Sequence, residues 1–108
     1  MKIQDIKPGV FYRQKFDETK PEESSHRGET RYIYLFEKLI SNKPGVGYSA
    51  RGLFISRRFD QFEEVFIMNK KDHKYHLYND DRVSLMTKDD YDFIKNNMKE
   101  ILPFLFEF

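Results

Sequence analysis

Short runs of apolar residues, some alternating with a period of two, are separated by polar turns up to Met86, and a helical period takes over only after Thr87. Pro8 and Gly9 mark a turn. Val10 to Phe16 then reads as a first strand, with Val10, Tyr12 and Phe16 on one face and Phe11, Arg13 and Lys15 on the other. Arg31 to Ile40 (RYIYLFEKLI) carries aromatic and β-branched residues on both faces, the pattern of a central strand covered on both sides or tightly curved. After the turn residues Asn42, Pro44, Gly45 and Gly47, Tyr48 to Arg58 forms a third strand. There Leu53 and Ile55 share a face with Arg51 and Arg57, and Gly52 marks a bulge or a sharp bend. Glu63 to Asn69 is a fourth strand joined to the third as a hairpin, with Val65 and Ile67 on one face and Phe66 and Met68 on the other. Lys74 to Tyr78 and Arg82 to Met86 are short fifth and sixth segments.

Thr87 followed by Asp90 is the pattern of a capping box, and the acidic pair Asp89 and Asp90 suits the positive end of a helix dipole. Tyr91, Ile94, Met98 and Ile101 recur at helical spacing, which predicts a helix over 88–102 that Pro103 ends. In the closing PFLFEF, Phe104, Phe106 and Phe108 alternate, as in an added strand, a dimer contact or an apolar tail. The fold class expected is mainly β with a C-terminal α-helix. A small SH3-like β-barrel of five to six strands fits it, in one domain over 1–108, and an OB-like barrel is the alternative.

Between the first two strands, Asp17 to Thr30 contains no apolar residue except Pro21. Loops beyond roughly a dozen residues are uncommon in compact domains and are usually functional or disordered, so this loop is where chemistry is first sought. Composition narrows what that chemistry is. The hydrophobic fraction is 39%, but 11 Phe and 7 Tyr place much of it in large rings, so the core is aromatic-rich. Without Cys there is neither a disulfide framework nor thiolate chemistry. No apolar run reaches signal-peptide or membrane-span length, so the expected location is the cytoplasm, with no membrane partner. Net charge is only +1: residues 1–78 carry 15 basic and 11 acidic side chains, and residues 79–108 carry 4 basic and 7 acidic. That falls short of a protein that coats nucleic acid, while leaving room for a local basic groove.

Two further clusters carry little. His73 and His76 are three apart in a strand and so point to opposite faces, which argues against a shared metal ion. Asp89, Asp90 and Asp92 are accounted for by helix capping, and neither a metal nor a cofactor is expected. The run YSARGLFISRRF is richer, because its rings and arginines, Tyr48, Arg51, Arg57 and Arg58 with the nearby Arg31, suit a track for single-stranded nucleic acid. A plainer reading packs Leu53, Ile55 and Phe54 in the core and leaves the arginines to solvate the edge.

Gly9, then Phe16, Asp17, Thr19 and Lys20, then Glu23, His26 and Arg27, and a following strand that ends in Ser41-Asn42-Lys43-Pro44-Gly45, together resemble the amino-terminal half of the MazF/PemK-type toxins. These are SH3-like barrels that act as endoribonucleases. Ser56 stands at the end of the third strand, where that family often places Thr or Ser. The resemblance implies metal-independent cleavage of single-stranded RNA by attack of the neighbouring 2′-hydroxyl. Glu23 would take the hydroxyl proton, Arg27 or Arg31 would stabilise the phosphate charge, and Ser56 would orient the phosphate. It also implies a homodimer and an antitoxin as protein partner. Two other functions suit the same residues: a non-catalytic SH3-like module that binds a protein, and a binder of RNA or single-stranded DNA that does not cleave.

Overall fold

The computed structural model describes residues 5–15, 29–41, 49–68 and 82–107. In chain order these form β1 (Phe11–Lys15), β2 (Thr30–Ser41), β3 (Ser49–Arg58), β4 (Gln61–Met68), β5 (Val83–Leu85), α1 (Lys88–Asn96) and α2 (Met98–Glu107). The strand with apolar residues on both faces lies inside the sheet, as its pattern requires. All pairings are antiparallel, in the order β4-β3-β2-β1-β5. The expected fifth segment, Lys74 to Tyr78, lies outside the described residues, as does the Tyr48 end of the third strand.

Alternation along the strands builds a separate core on each face of the sheet. One face gathers Ile33, Leu53, Ile55 and Val65 beneath Phe93, Ile94 and Ile101 of the helices. The other gathers Tyr12, Tyr34, Phe36, Phe54, Met68 and Val83. Across this second face the strand register lines up Tyr12, Tyr34, Phe54 and Phe66 as successive cross-strand neighbours. Their ring centroids are 6.3, 5.0 and 5.4 Å apart in turn. Such aromatic pairs are worth about 0.5–1.5 kcal/mol each beyond the area they bury. At the N-terminal side of β1, Gly9 takes a positive φ of 78° and donates its N–H to the Phe36 carbonyl at 3.0 Å, tying the predicted Pro8-Gly9 turn to β2.

Gly52 marks a true irregularity. A Cβ there would come within 2.8 Å of the Phe36 ring and 2.9 Å of the Leu35 carbonyl, and the β2–β3 register shifts between Phe36 and Lys38 directly across from it. β3 and β4 are joined as the predicted hairpin, with Arg58 paired to Gln61 around Phe59 and Asp60. Phe59 adopts a φ of 54°, and the Arg57 Nε donates to its carbonyl at 2.5 Å.

One expectation is narrowed and one is corrected. Among the described residues the sheet is open: β4 and β5 form its two edges and do not pair with each other, and no closed barrel is seen there. A closed barrel has one interior, whereas this sheet buries both faces and the helices cover one of them. The three-residue β5 then gives way at once to α1. Nor does a single helix run to residue 102. The Asn97 N–H bonds the Phe93 and Ile94 carbonyls at the end of α1, while the Asn97 carbonyl accepts from Glu100 and Ile101 at the start of α2. Pro103 lies inside α2, and Phe104 and Phe106 are helical rather than extended. Pro103 forfeits the bond its missing N–H would have made to Lys99, but it sits on the exposed side. Packing of Ile101, Phe104 and Leu105 on the sheet outweighs that loss. No described helix is long and apolar enough to cross a membrane.

Candidate functional site

Two surfaces stand out, one polar and one apolar. The polar one is built where the β3–β4 hairpin meets the start of α1. Strand alternation puts Arg57 on the helix-facing side with Leu53 and Ile55, and only 6% of its side chain is exposed. There its Nη1 donates to Asp90 Oδ1 at 2.7 Å, and its Nη2 donates to Asp89 Oδ2 at 2.7 Å and Asp60 Oδ1 at 3.2 Å. The guanidinium carbon lies 4.6 Å from the Phe93 ring centroid.

Asp90 has no exposed side-chain surface, and it is held from three directions. Arg57 reaches it from β3, Arg13 Nε makes an ion pair with it from β1 at 3.3 Å, and the Thr87 N–H and hydroxyl both donate to its Oδ2. The Asp90 N–H in turn donates to Thr87 Oγ1, completing the predicted capping box. Arg13 also donates to the Thr30 hydroxyl at the start of β2. One carboxylate thus ties α1 to two strands of the sheet. Burial alone would lower the Arg57 pKa; the hydrogen bond and charge of Asp89, the charge of Asp90 and the bond to Asp60 outweigh it, and the net shift is upward. Arg57 therefore keeps its charge at any physiological pH.

Beside this cluster lies a cleft of about 150 Å³ whose lining includes Arg57, Asp60, Asp89, Asp92 and Asn96. Its cation is already bonded to three carboxylates, and the rim is acidic. A phosphate entering it would meet three aspartates before it met a free donor. Among the described residues no group of three or more His, Asp or Glu is placed to hold a metal ion.

The sequence-predicted site residues fall in several places. Glu23, Arg27 and Tyr48 lie outside the described residues, as do His73 and His76. Ser56 is buried near the end of β3, and its hydroxyl donates to Glu63 Oε1 at 3.1 Å. Register sets Ser56 opposite Tyr32, two residues from the start of β2 and hence at the sheet end that the first loop leaves and rejoins. Arg31 lies with its guanidinium carbon 5.3 Å from the Tyr32 ring centroid. Arg51 is paired with Glu37 and reaches the Glu107 carbonyl at 3.4 Å. Arg58 is exposed at the hairpin, and Arg57 is the buried hub described above. Arg57 and Arg58 are sequence neighbours yet point to opposite sides of β3.

The apolar surface is on α2. One side of this helix packs on the sheet through Ile101, Phe104 and Leu105. On the outward side Met98, Leu102 and Phe106 are 40%, 44% and 84% exposed. They stand at i, i+4 and i+8 and therefore form one stripe. Sequence reasoning missed this stripe because it placed Met98 with Ile94 and Ile101 on a single buried face. The break at Asn97 starts a new helix, and Met98 turns outward. Tyr91, assigned to the same face, is also exposed.

Comparison with known proteins finds no relative: no family model matches the chain, and neither a curated protein nor a solved structure matches it. The MazF/PemK resemblance rests on the quoted residues alone.

Proposed function

We propose that this chain is a non-catalytic protein-interaction module whose working surface is the outward stripe of α2, and that the partner element is an amphipathic helix laid along that stripe. One observation carries the reading: α2 packs on the sheet through Ile101, Phe104 and Leu105, yet Met98, Leu102 and Phe106 remain exposed beside that contact. A contiguous exposed apolar patch marks an interaction site. Recognition would follow the helix-in-groove mode, with anchors spaced four residues apart. The commitments of the polar residues favour the same reading, since Arg57, Arg51 and Ser56 are all engaged with carboxylates.

The test uses a displayed library of helical peptides, selected on the folded protein and counter-selected on Leu102→Glu. The module reading predicts enrichment of peptides with apolar residues at i, i+3 or i+4 and i+7, whose binding weakens at least about tenfold on Leu102→Glu and Phe106→Glu. Peptides that bind wild type and both variants equally would remove the stripe as the working surface.

A second reading keeps one supporting observation, the placement of Ser56 at the sheet end that carries the loop with Glu23 and Arg27. On that reading the chain is a divergent MazF/PemK-like RNA-binding protein, with barrel closure, an antitoxin partner and Glu23, Arg27 and Ser56 as its catalytic group. It predicts cleavage of unstructured RNA in the presence of EDTA, abolished by Arg27→Ala with the fold intact. A diverse RNA pool left uncut and unbound across a salt series would dispose of it.

A further inference from the structure

The chain contains no Cys, so its sulfur redox chemistry belongs entirely to its 4 methionines. Met1 lies outside the described residues, and the fold separates the other three. Met68 is 1% exposed, inside the aromatic core. Met86 is partly buried against the core beneath the helices. Met98 is 40% exposed. It is the first residue of α2, directly after the break at Asn97, and it begins the stripe that Leu102 and Phe106 continue.

This placement decides what an oxidant in solvent meets. A peroxide reaches the Met98 thioether without any opening of the fold, whereas at Met68 and Met86 the surrounding core must first yield. In the reaction an electron pair on the Met98 sulfur attacks one peroxide oxygen. The O–O bond breaks as the S–O bond forms, and the departing hydroxide takes the proton of the transferred oxygen to leave as water. Sulfur loses two electrons, the peroxide is reduced, and the product is the sulfoxide. The change replaces a flexible apolar side chain by a polar one that carries a strong hydrogen-bond acceptor. In the free protein that oxygen is hydrated and the fold is untouched. Beneath a partner helix it would be buried against apolar groups, which is costly without a donor.

We infer that Met98 is a modification site for hydrogen peroxide, and that its sulfoxide switches the α2 stripe off. The switch rests on the module reading above and names its regulation, while the selectivity for Met98 rests on the fold alone.

The experiment treats the folded protein with graded hydrogen peroxide. Peptide mass spectrometry locates each sulfoxide, and far-ultraviolet circular dichroism checks the fold. Binding is followed by fluorescence anisotropy of a fluorescein-labelled helical peptide from the selection above, chosen to lack Met, Cys and Trp. Met98 should be oxidised before Met68 and Met86 with the circular dichroism unchanged. Peptide affinity should fall about tenfold at that stage. Treatment with methionine sulfoxide reductases specific for each epimer, with dithiothreitol as reductant, should restore it. Met98→Leu should bind the peptide like wild type and keep its affinity under peroxide. Oxidation of Met68 or Met86 in the folded protein as fast as Met98 would overturn the site. A Met98→Leu variant that loses affinity under peroxide as wild type does would assign the effect to another residue and overturn the switch. If Met98 is oxidised with no change in peptide affinity while Leu102→Glu still removes binding, the switch falls and the module reading stands. If no peptide binds through the stripe, the module reading falls and the switch with it, and the order of oxidation still decides the site.

Discussion

Arg57→Ala removes the cation that holds Asp90, and its cost follows from which of its bonds are buried. The contacts to Asp60 and Asp89 involve carboxylates that are 93% and 75% exposed, so each is worth at most about 1 kcal/mol. The bond to Asp90 is different, because that carboxylate has no exposed surface and would keep only the Arg13 ion pair and its Thr87 bonds. Leaving one member of a buried pair behind typically costs about 3–5 kcal/mol. Loss of the guanidinium from the Phe93 ring adds about 0.5–1 kcal/mol, while Arg13 offsets part of the Asp90 penalty. A destabilisation of about 3–4 kcal/mol is expected, a large share of the roughly 5–15 kcal/mol by which single domains are stable. Urea unfolding followed by circular dichroism measures it. The double variant Arg57→Met/Asp90→Asn should lose less than the two single variants combined, because neither charge is then stranded. Since the Arg57 pKa is raised in the fold, its contribution is fully present below its unfolded value and lost only as pH climbs through the higher folded value. The deficit should therefore stay flat from about pH 7 to about pH 10. A deficit below about 1 kcal/mol, or one that shrinks over that range, would refute the account of Arg57 as the buried hub.

Gly52→Ala is expected to destabilise by about 1–3 kcal/mol in the same assay, because the new Cβ would press on the Leu35 backbone carbonyl as well as the Phe36 ring. Gln14→Met should be neutral or stabilising by about 1 kcal/mol: Gln14 is 2% exposed and its Oε1 has no hydrogen-bond partner among the described residues, so an apolar replacement of similar shape removes an uncompensated polar atom. A clear loss of stability on Gln14→Met would show that this oxygen is bonded in solution.

What could be read from the chain divides along a physical line. Strand faces were legible because a period of two is local: Ile33 and Leu35 fell on one side of β2 and Tyr34 and Phe36 on the other, and the capping box at Thr87 formed as its spacing implies. The alternation placed Arg57 on the face of Leu53 and Ile55, but the reading that left the arginines to solvate the edge is corrected for Arg57, whose side chain is only 6% exposed. Its partners were not legible, because a pairing between residues 57 and 90 leaves no local trace and helix capping already accounted for Asp89 and Asp90. Barrel closure was not legible for the same reason: strand patterns do not state which edges meet. Pro103 misled in the opposite sense. A strong local rule against proline in a helix was overridden by tertiary burial of Ile101 and its neighbours, and the outward stripe of α2 was lost from view with it.

The polar cluster and the apolar stripe are parts of one mechanical arrangement. Asp90 pins the first turn of α1 to β1 and β3, and Asn97 ends α1 and starts α2 within a single residue. With both points held, the direction of α2 follows from the burial of Ile101, Phe104 and Leu105, and Met98, Leu102 and Phe106 are left exposed. Changes at Arg57 and changes at Leu102 should therefore separate cleanly. The first loosens the fold and leaves the stripe chemically intact, whereas the second leaves unfolding nearly unchanged, because Leu102 is 44% exposed, and removes association. A Leu102→Glu variant that lost stability as steeply as Arg57→Ala would mean that the outward stripe is packed against the rest of the chain in solution, and the docking surface would no longer exist.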